Sequence, residues 1–276
     1  MSNVCIGKSI VVHNYLRLPC LRYEHHVLLS LIIPAWQEAG RFHTTVEGVN
    51  RLKACLPYAI EVILVDDGST DGTAELARDA GFTVIQQAHR GKGAAVRTGM
   101  LAANGMYRML ADADWSMPPE QALMMLPPAM TGCDIAIASR ELPASKRTGE
   151  PRARHLIGRL FNQAIQYIVL PGIDDTQCGF KVFRAEAARA IFSRTREDGW
   201  AFDVEALALA RAFGLRVNEV PIDWNHDGDS RVRPLRDAPG MLASLLRIRT
   251  RLAMSNYPEF RGRPPVVLIP RDRPRA

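Results

Sequence analysis

The chain has 276 residues, 47% of them apolar and 23% charged, which suits one sizeable α/β domain and excludes wholesale disorder. Its net charge of +6 is modest, but arginines gather around 147–159 and again from Arg231 onward, where they suit phosphate groups, an anionic membrane surface or nucleic acid alike. Five scattered cysteines lack the spacing of a zinc site or a disulfide scaffold, and no apolar run approaches the roughly 18 residues that cross a bilayer.

Residues 1–26 are broken up by charges and histidines, carry no signal-peptide core and read as an extension of undetermined structure. The main domain spans 27–253, and a Pro/Arg-rich tail over 254–276 is expected to be disordered. Within the domain, short β-branched or Leu-rich runs predict strands at 27–33, 60–65, 82–86, 106–111 and 134–139. Helical periodicity fills 41–55, 73–80, 93–103 and 120–130 between them. The alternation predicts a central, mostly parallel sheet with helices on both faces, whose ligands bind at the carboxyl ends of the strands. A basic, proline-containing loop over 141–154 is expected to be mobile. Helices follow at 154–169, 185–192 and 203–213, then a strand at 215–220 and an amphipathic helix at 238–252. That last helix, with Leu242, Leu246, Arg247, Arg249 and Arg251, suits either an anionic membrane surface or packing on the domain. A cytosolic protein with at most peripheral membrane contact is expected; the sequence leaves its oligomeric state open.

The unusual polar residues follow the predicted strands. Asp112 and Asp114 are one residue apart after an apolar run, so both can reach one divalent cation, although for the pair taken alone an acidic turn is the more ordinary reading. Asp66 and Asp67 end another strand and can accept hydrogen bonds from a base or ribose; adjacent carboxylates repel unless such partners exist. Ser69 or Asp71 can cap the helix that follows. Gly91-Lys92-Gly93 is a close-approach turn for an anion or an ordinary surface turn. Asp203 is either a helix cap or a site residue, and Cys178 reads as a packed thiol rather than a nucleophile.

Six segments occur in order: Ile33-Pro34-Ala35-Trp36-Gln37-Glu38, Val65-Asp66-Asp67-Gly68-Ser69-Thr70-Asp71-Gly72-Thr73, Gly91-Lys92-Gly93-Ala94-Ala95-Val96-Arg97, Ala111-Asp112-Ala113-Asp114, Asp175-Thr176-Gln177-Cys178-Gly179-Phe180-Lys181 and Trp200-Ala201-Phe202-Asp203-Val204-Glu205. Together they resemble the family 2 glycosyltransferases of GT-A (nucleotide-diphosphosugar transferase) fold, in the dolichyl-phosphate β-glucosyltransferase and polyprenyl-phosphate branch. The resemblance implies donor binding by Pro34, Glu38, Asp66, Asp67, Lys92, Arg97 and Asp112. It implies a Mg or Mn ion on Asp112 and Asp114, with Asp114 the direct ligand. It also implies acceptor-phosphate contacts from Ser139, Arg140, Arg154, Gln177 and Lys181, and catalytic placement of Asp114, Asp175 and Asp203. Trp36 and Gln37 replace the usual Tyr and Asn, Ala138 replaces a Gly, and Gly158 stands where a Ser is common.

The resemblance implies inverting transfer of glucose from UDP-glucose to a polyprenyl (dolichyl-type) phosphate. A phosphate acceptor is already an anion, so metal and arginine electrostatics suffice; an alcohol would need a base, for which Asp175 or Asp203 would serve. The alternatives are a GDP-mannose donor or a soluble acceptor on the same fold. A non-catalytic nucleic-acid-binding protein is a more distant one. No stacking pattern supports it, and no nucleic-acid partner is expected.

Overall fold

The computed structural model describes residues 27–127, 129–130, 132–225 and 234–254, and within them the side chains of 152–154, 156 and 234–238 lie outside the description. The expectations for residues 1–26 and 255–276, and the side chain of Arg154, fall outside the described residues. The strands are β1 (Leu29–Ala35), β2 (Ile60–Asp66), β3 (Thr83–Gln86), β4 (Tyr107–Leu110), β5 (Ile135–Ser139), β6 (Lys146–Thr148), β7 (Lys181–Arg184), β8 (Val217–Pro221) and β9 (Asp223–Asn225). The helices are α1 (Phe42–Cys55), α2 (Thr73–Asp79), α3 (Lys92–Ala102), α4 (Arg152–Ile168), α5 (Ala185–Phe192), α6 (Phe202–Ala212) and α7 (Pro234–Met254).

Seven strands form one sheet in the order β3-β2-β1-β4-β7-β5-β8, and β6 pairs with β9 in a separate ribbon. Every pairing in the large sheet is parallel except those of β7, which runs antiparallel to β4 and β5. The carboxyl ends of β1, β2, β4 and β5 therefore meet the amino end of β7 along one edge. Period-2 alternation divides each strand between two cores. Leu31, Ile33, Val62 and Leu64 face one side with Phe42, Val49 and Leu52 of α1. Ile32, Ile63 and Val65 face the other, with α3, α5, α6 and α7.

One expectation is corrected and two segments gain detail. The 120–130 segment is a 3-10 turn, Pro119–Met124, rather than an α-helix. Pro127 and Pro128 lack amide donors and crowd the preceding turn, so an α-helix cannot run through to 130; Pro118 and Pro119 stand at the start, where proline is tolerated. β7 had no forecast: Lys181-Val182-Phe183-Arg184 is too short and too charged at its ends to show a period. The 141–154 segment, read as a loop, contains β6, and Arg147 links it to Glu150 at 2.6 Å and to Glu141. α7 packs on the domain through fully buried Leu245 and Ile248, while Arg247 and Arg251 reach inward to Glu197 at 3.2 and 2.9 Å. No helix among the described residues is long and apolar enough to cross a membrane.

Candidate active site

Where β1 and β2 end, their loops are stitched together. The Gln37 amide donates to Ser69 Oγ at 2.8 Å, the Glu38 amide to Thr73 Oγ1 at 2.9 Å and the Ala39 amide to Asp71 Oδ2 at 3.0 Å. Gln37 adopts φ 54°, a strained value for a side-chain-bearing residue that these bonds hold in place. Asp71, not Ser69, serves the start of α2, taking the Thr73 amide at 3.1 Å. Pro34 lies within β1, and the buried Glu38 carboxylate is bound by Arg41 at 2.5 Å. The Trp36 ring stacks on His89, centroids 4.6 Å apart, at the mouth of this side.

Both aspartates ending β2 are engaged by protein donors. Asp66 accepts the Ser69 amide at 3.1 Å and Gln86 Nε2 at 3.3 Å. Asp67 takes Gln87 Nε2 at 2.7 Å and the amides of Arg90 and Gly91 at 3.0 and 2.8 Å. These bonds remove the repulsion expected of adjacent carboxylates and make Asp67 the anchor of the turn into α3. Lys92 opens α3, and the Ala94 amide of the same turn is taken by the Asp198 carbonyl at 3.2 Å. Arg97 lies one turn further on and points away, to Asp198 at 2.5 Å and the Thr195 carbonyl at 3.2 Å.

After β4, the chain turns through Asp112, Ala113 and Asp114 onto Trp115, which adopts φ 47° and is locked edge-on against Phe180 at 5.5 Å. Thr45 of α1 holds the Ala113 carbonyl at 2.8 Å. Lys92 Nζ sits 2.5 Å from Asp112 Oδ1 and 5.5 Å from the Trp200 ring. Burial opposes ionisation of Asp112, yet the Lys92 charge outweighs it and holds the carboxyl below its usual range. Burial also depresses the Lys92 ammonium, but Asp112 and Asp203 outweigh it and hold it protonated. Asp114 is pushed up, by burial first and then by the charge of Asp112. Gly179 completes the seat: a Cβ there would fall 2.2 Å from Asp112 Oδ2.

This pair fits a divalent cation. Asp112 Oδ1 is buried against the Lys92 ammonium at 2.5 Å, and Asp114 is raised by burial and then by the charge of Asp112, a crowding of carboxylates that a cation would relieve. No group of three or more potential ligands occurs among the described residues. Mg²⁺ and Mn²⁺ sites that use one or two carboxylates and take their remaining ligands from phosphate and water need none.

Across the edge, β5 ends in Ser139, fully buried with Oγ unpartnered, and then Arg140. The Arg140 guanidinium forks onto Asp175, at 2.7 and 2.9 Å, while its face lies 5.5 Å from the Trp224 ring. Asp175 also takes the Arg140 amide at 2.9 Å and the Gln177 amide at 3.2 Å. Burial would raise the Asp175 carboxyl, but Arg140 overcomes it and the value falls to about 2. Lys181, at the start of β7, is buried between the Cys178 carbonyl and Asp203, both at 2.6 Å. Asp203 makes no cap bond to α6; burial raises its carboxyl against the pull of Lys181 and Lys92. Cys178 is buried and pushed up to about 12, by burial and then by Asp175, so its thiol stays protonated at neutral pH. Asp112, Asp114, Lys92, Asp175, Gln177, Lys181, Asp203 and Arg140 thus share one edge, and the Lys181 and Arg140 charges act on Asp112. Trp115, Gly179, Asp198, Trp200 and Trp224 escaped the sequence reading. Trp200 and Gly179 lay inside quoted motifs, whereas nothing local marked Trp224 or Asp198.

The model of the family described as "Glycosyl transferase family 2" matches residues 30–192. A dolichyl-phosphate beta-glucosyltransferase of Drosophila melanogaster is 34% identical over 238 residues, 78% of this chain and 72% of that one. Its human counterpart is 32% identical over 243 residues, 81% and 75% of the two chains. The structure of glucosyl-3-phosphoglycerate synthase from Mycobacterium tuberculosis with Mn²⁺, UDP-glucose and phosphoglyceric acid shares the fold, with TM-score 0.60 at 18% identity over 88% of each chain. With an α/β sheet whose strand ends converge on an Asp-Ala-Asp turn and a match over more than half its length, the chain belongs to the family 2 glycosyltransferases and has their GT-A fold.

Proposed function

We propose that the protein transfers glucose from UDP-glucose to a polyprenyl phosphate of dolichyl type, inverting the anomeric configuration. One observation carries this reading: Arg140 stands at the strand edge beside the acid pair, braced by Asp175 and Trp224, with its charge felt at Asp112. A guanidinium fixed on one edge and one face presents its remaining N–H groups in a set direction, which suits a phosphate oxygen. Asp175, held near 2, is too weak a base for an alcohol acceptor, and Asp203 is tied to Lys181. A phosphate oxyanion requires no base. The relatives named as dolichyl-phosphate glucosyltransferases support the same acceptor.

On the donor side, Asp112 and Asp114 would hold Mg²⁺ or Mn²⁺. When bound, the cation offsets the charge that builds on the leaving diphosphate. Lys92 adds a second positive charge at that place. Trp36 and His89 offer a flat wall for the base, with the stitched β1 and β2 loops behind it. Arg140 aligns the attacking oxygen opposite the leaving group; alignment and electrostatics then lower the barrier. Exposed Leu242 and Leu246 on α7 and Leu160 and Tyr167 on α4 give these helices outward apolar stripes suited to peripheral contact with a lipid surface.

A second reading, a small soluble phosphorylated acceptor, is favoured by the phosphoglyceric acid of the structurally similar synthase. Labelled UDP-glucose or GDP-mannose, with Mn²⁺ or Mg²⁺ and either polyprenyl phosphate or phosphoglyceric acid, separates the two. Label entering the organic phase from UDP-glucose only, and lost with EDTA, is the expected result. Label confined to a water-soluble product replaces the lipid acceptor by the soluble one, and transfer from neither donor sinks the proposal.

A further inference from the structure

A cluster of acids that the proposed reaction does not use lies behind the donor side, in residues 195–200 between α5 and α6. The Asp198 carboxylate receives Arg90 on one oxygen at 2.9 Å and Arg97 on the other at 2.5 Å. Its carbonyl accepts the Ala94 amide at 3.2 Å, so the turn into α3 is gripped by backbone and side chain together. The approach is close: a Cβ on Gly91 would fall 2.6 Å from the Asp198 carbonyl oxygen, and one on Gly93 2.4 Å from that of Glu197. Both glycines of the Gly-Lys-Gly turn thus make room for this segment, independently of any ligand. Trp200, at the end of the segment, stands against the Lys92 ammonium at 5.5 Å.

The segment is itself anchored from behind. Buried Glu197 meets Arg251 and Arg247 of α7 at 2.9 and 3.2 Å. Buried Glu205 of α6 accepts the amides of Arg196 and Glu197, each at 2.7 Å. A continuous chain of contacts therefore runs from α7 through Glu197 and Asp198 to the turn that carries Lys92, and from Lys92 to Asp112. A lysine on a flexible stem, following a glycine at φ 118°, has much freedom to lose, and prior immobilisation reduces what ligand binding must supply.

We propose that Asp198 and Glu197 are positioning residues of the donor site: Asp198 clamps the Lys92 turn from outside, and Glu197 ties the clamp to α7. The inference rests on the donor half of the proposed function and is independent of the acceptor. The test is calorimetric binding of UDP with Mn²⁺, without acceptor. Asp198→Ala should weaken UDP about tenfold, within the range for residues that act on a site without touching its ligand. Asp198→Glu should recover part of that loss, and Arg247→Ala with Arg251→Ala should weaken UDP about threefold. Arg97→Gln cuts the same clamp from the other side, so adding it to Asp198→Ala should weaken UDP no further. Wild-type-like UDP binding by Asp198→Ala overturns the inference alone. So does a loss that Asp198→Glu leaves unrelieved and that merely follows a fall in Tm. Wild-type protein that binds no UDP overturns the donor reading, and this inference with it.

Discussion

On the donor side, Asp67 is held by two backbone amides and a glutamine, and the loops after β1 and β2 are laced by amide-to-side-chain bonds. On the acceptor side, Arg140 rests on one carboxylate, Asp175, and one ring, Trp224. Backbone donors are rigid and local, so the donor half is largely a property of its strand ends. The proposed acceptor half rests on ion pairs between side chains, Arg140 with Asp175 and Lys181 with Asp203, so its specificity can change by few substitutions while the donor half stays intact. That contrast fits a family in which one nucleotide-sugar platform serves different acceptors.

The largest effect tests whether the Asp-Ala-Asp turn belongs to the donor half. Asp114→Ala should lower kcat at least about a thousandfold, the scale of losing a main electrostatic stabiliser, and abolish Mn²⁺-dependent UDP binding. An active variant with unchanged metal dependence would remove the turn from the chemistry. Next, Arg140→Ala should raise the acceptor KM about a hundredfold while donor KM stays within a factor of about two, since a charge-assisted contact of about 2–3 kcal/mol is lost. Arg140→Lys should recover little, because an ammonium cannot fork. A parallel rise in donor KM would mean that the two halves are not separable.

The smallest effect concerns the pair itself. Asp175 stays ionised in the folded chain down to about pH 2, whereas the unfolded chain takes up the proton near 3.8. Between those values the unfolded state binds more protons, so this contribution is complete above about pH 5 and fades as pH falls toward 2. It amounts to about 2 kcal/mol. Asp175→Asn should therefore lower the urea midpoint clearly at pH 7 and roughly half as much at pH 3. An equal loss at both values would assign the role of Asp175 to packing.

Strand–helix alternation read the sheet correctly because parallel strands buried on both faces leave continuous apolar runs, as at β1 and β2. It missed β7, whose four residues lie between β4 and β5 and owe their conformation to pairing with both. It overextended 120–130, where prolines outweighed apolar periodicity. Among site residues, Asp112, Asp114 and Lys92 were legible as motif members. Arg97 shares a motif with Lys92, yet one helical turn carries it to Asp198 instead. Trp36 was legible as a departure from the usual Tyr, but its stacking on His89 was not.

By itself the sequence determined the strand–turn–helix rhythm, the turns after β1, β2 and β4, and the family, because these depend on neighbours within a few positions. Only the tertiary structure decided which charge answers which. Arg140 finds Asp175 across 35 positions and Arg97 finds Asp198 across 101, and the seat of Asp112 requires Gly179 from a distant turn. Ion pairing depends on distance in space and on the exclusion of water, and both arise only when the strand ends are brought to one edge.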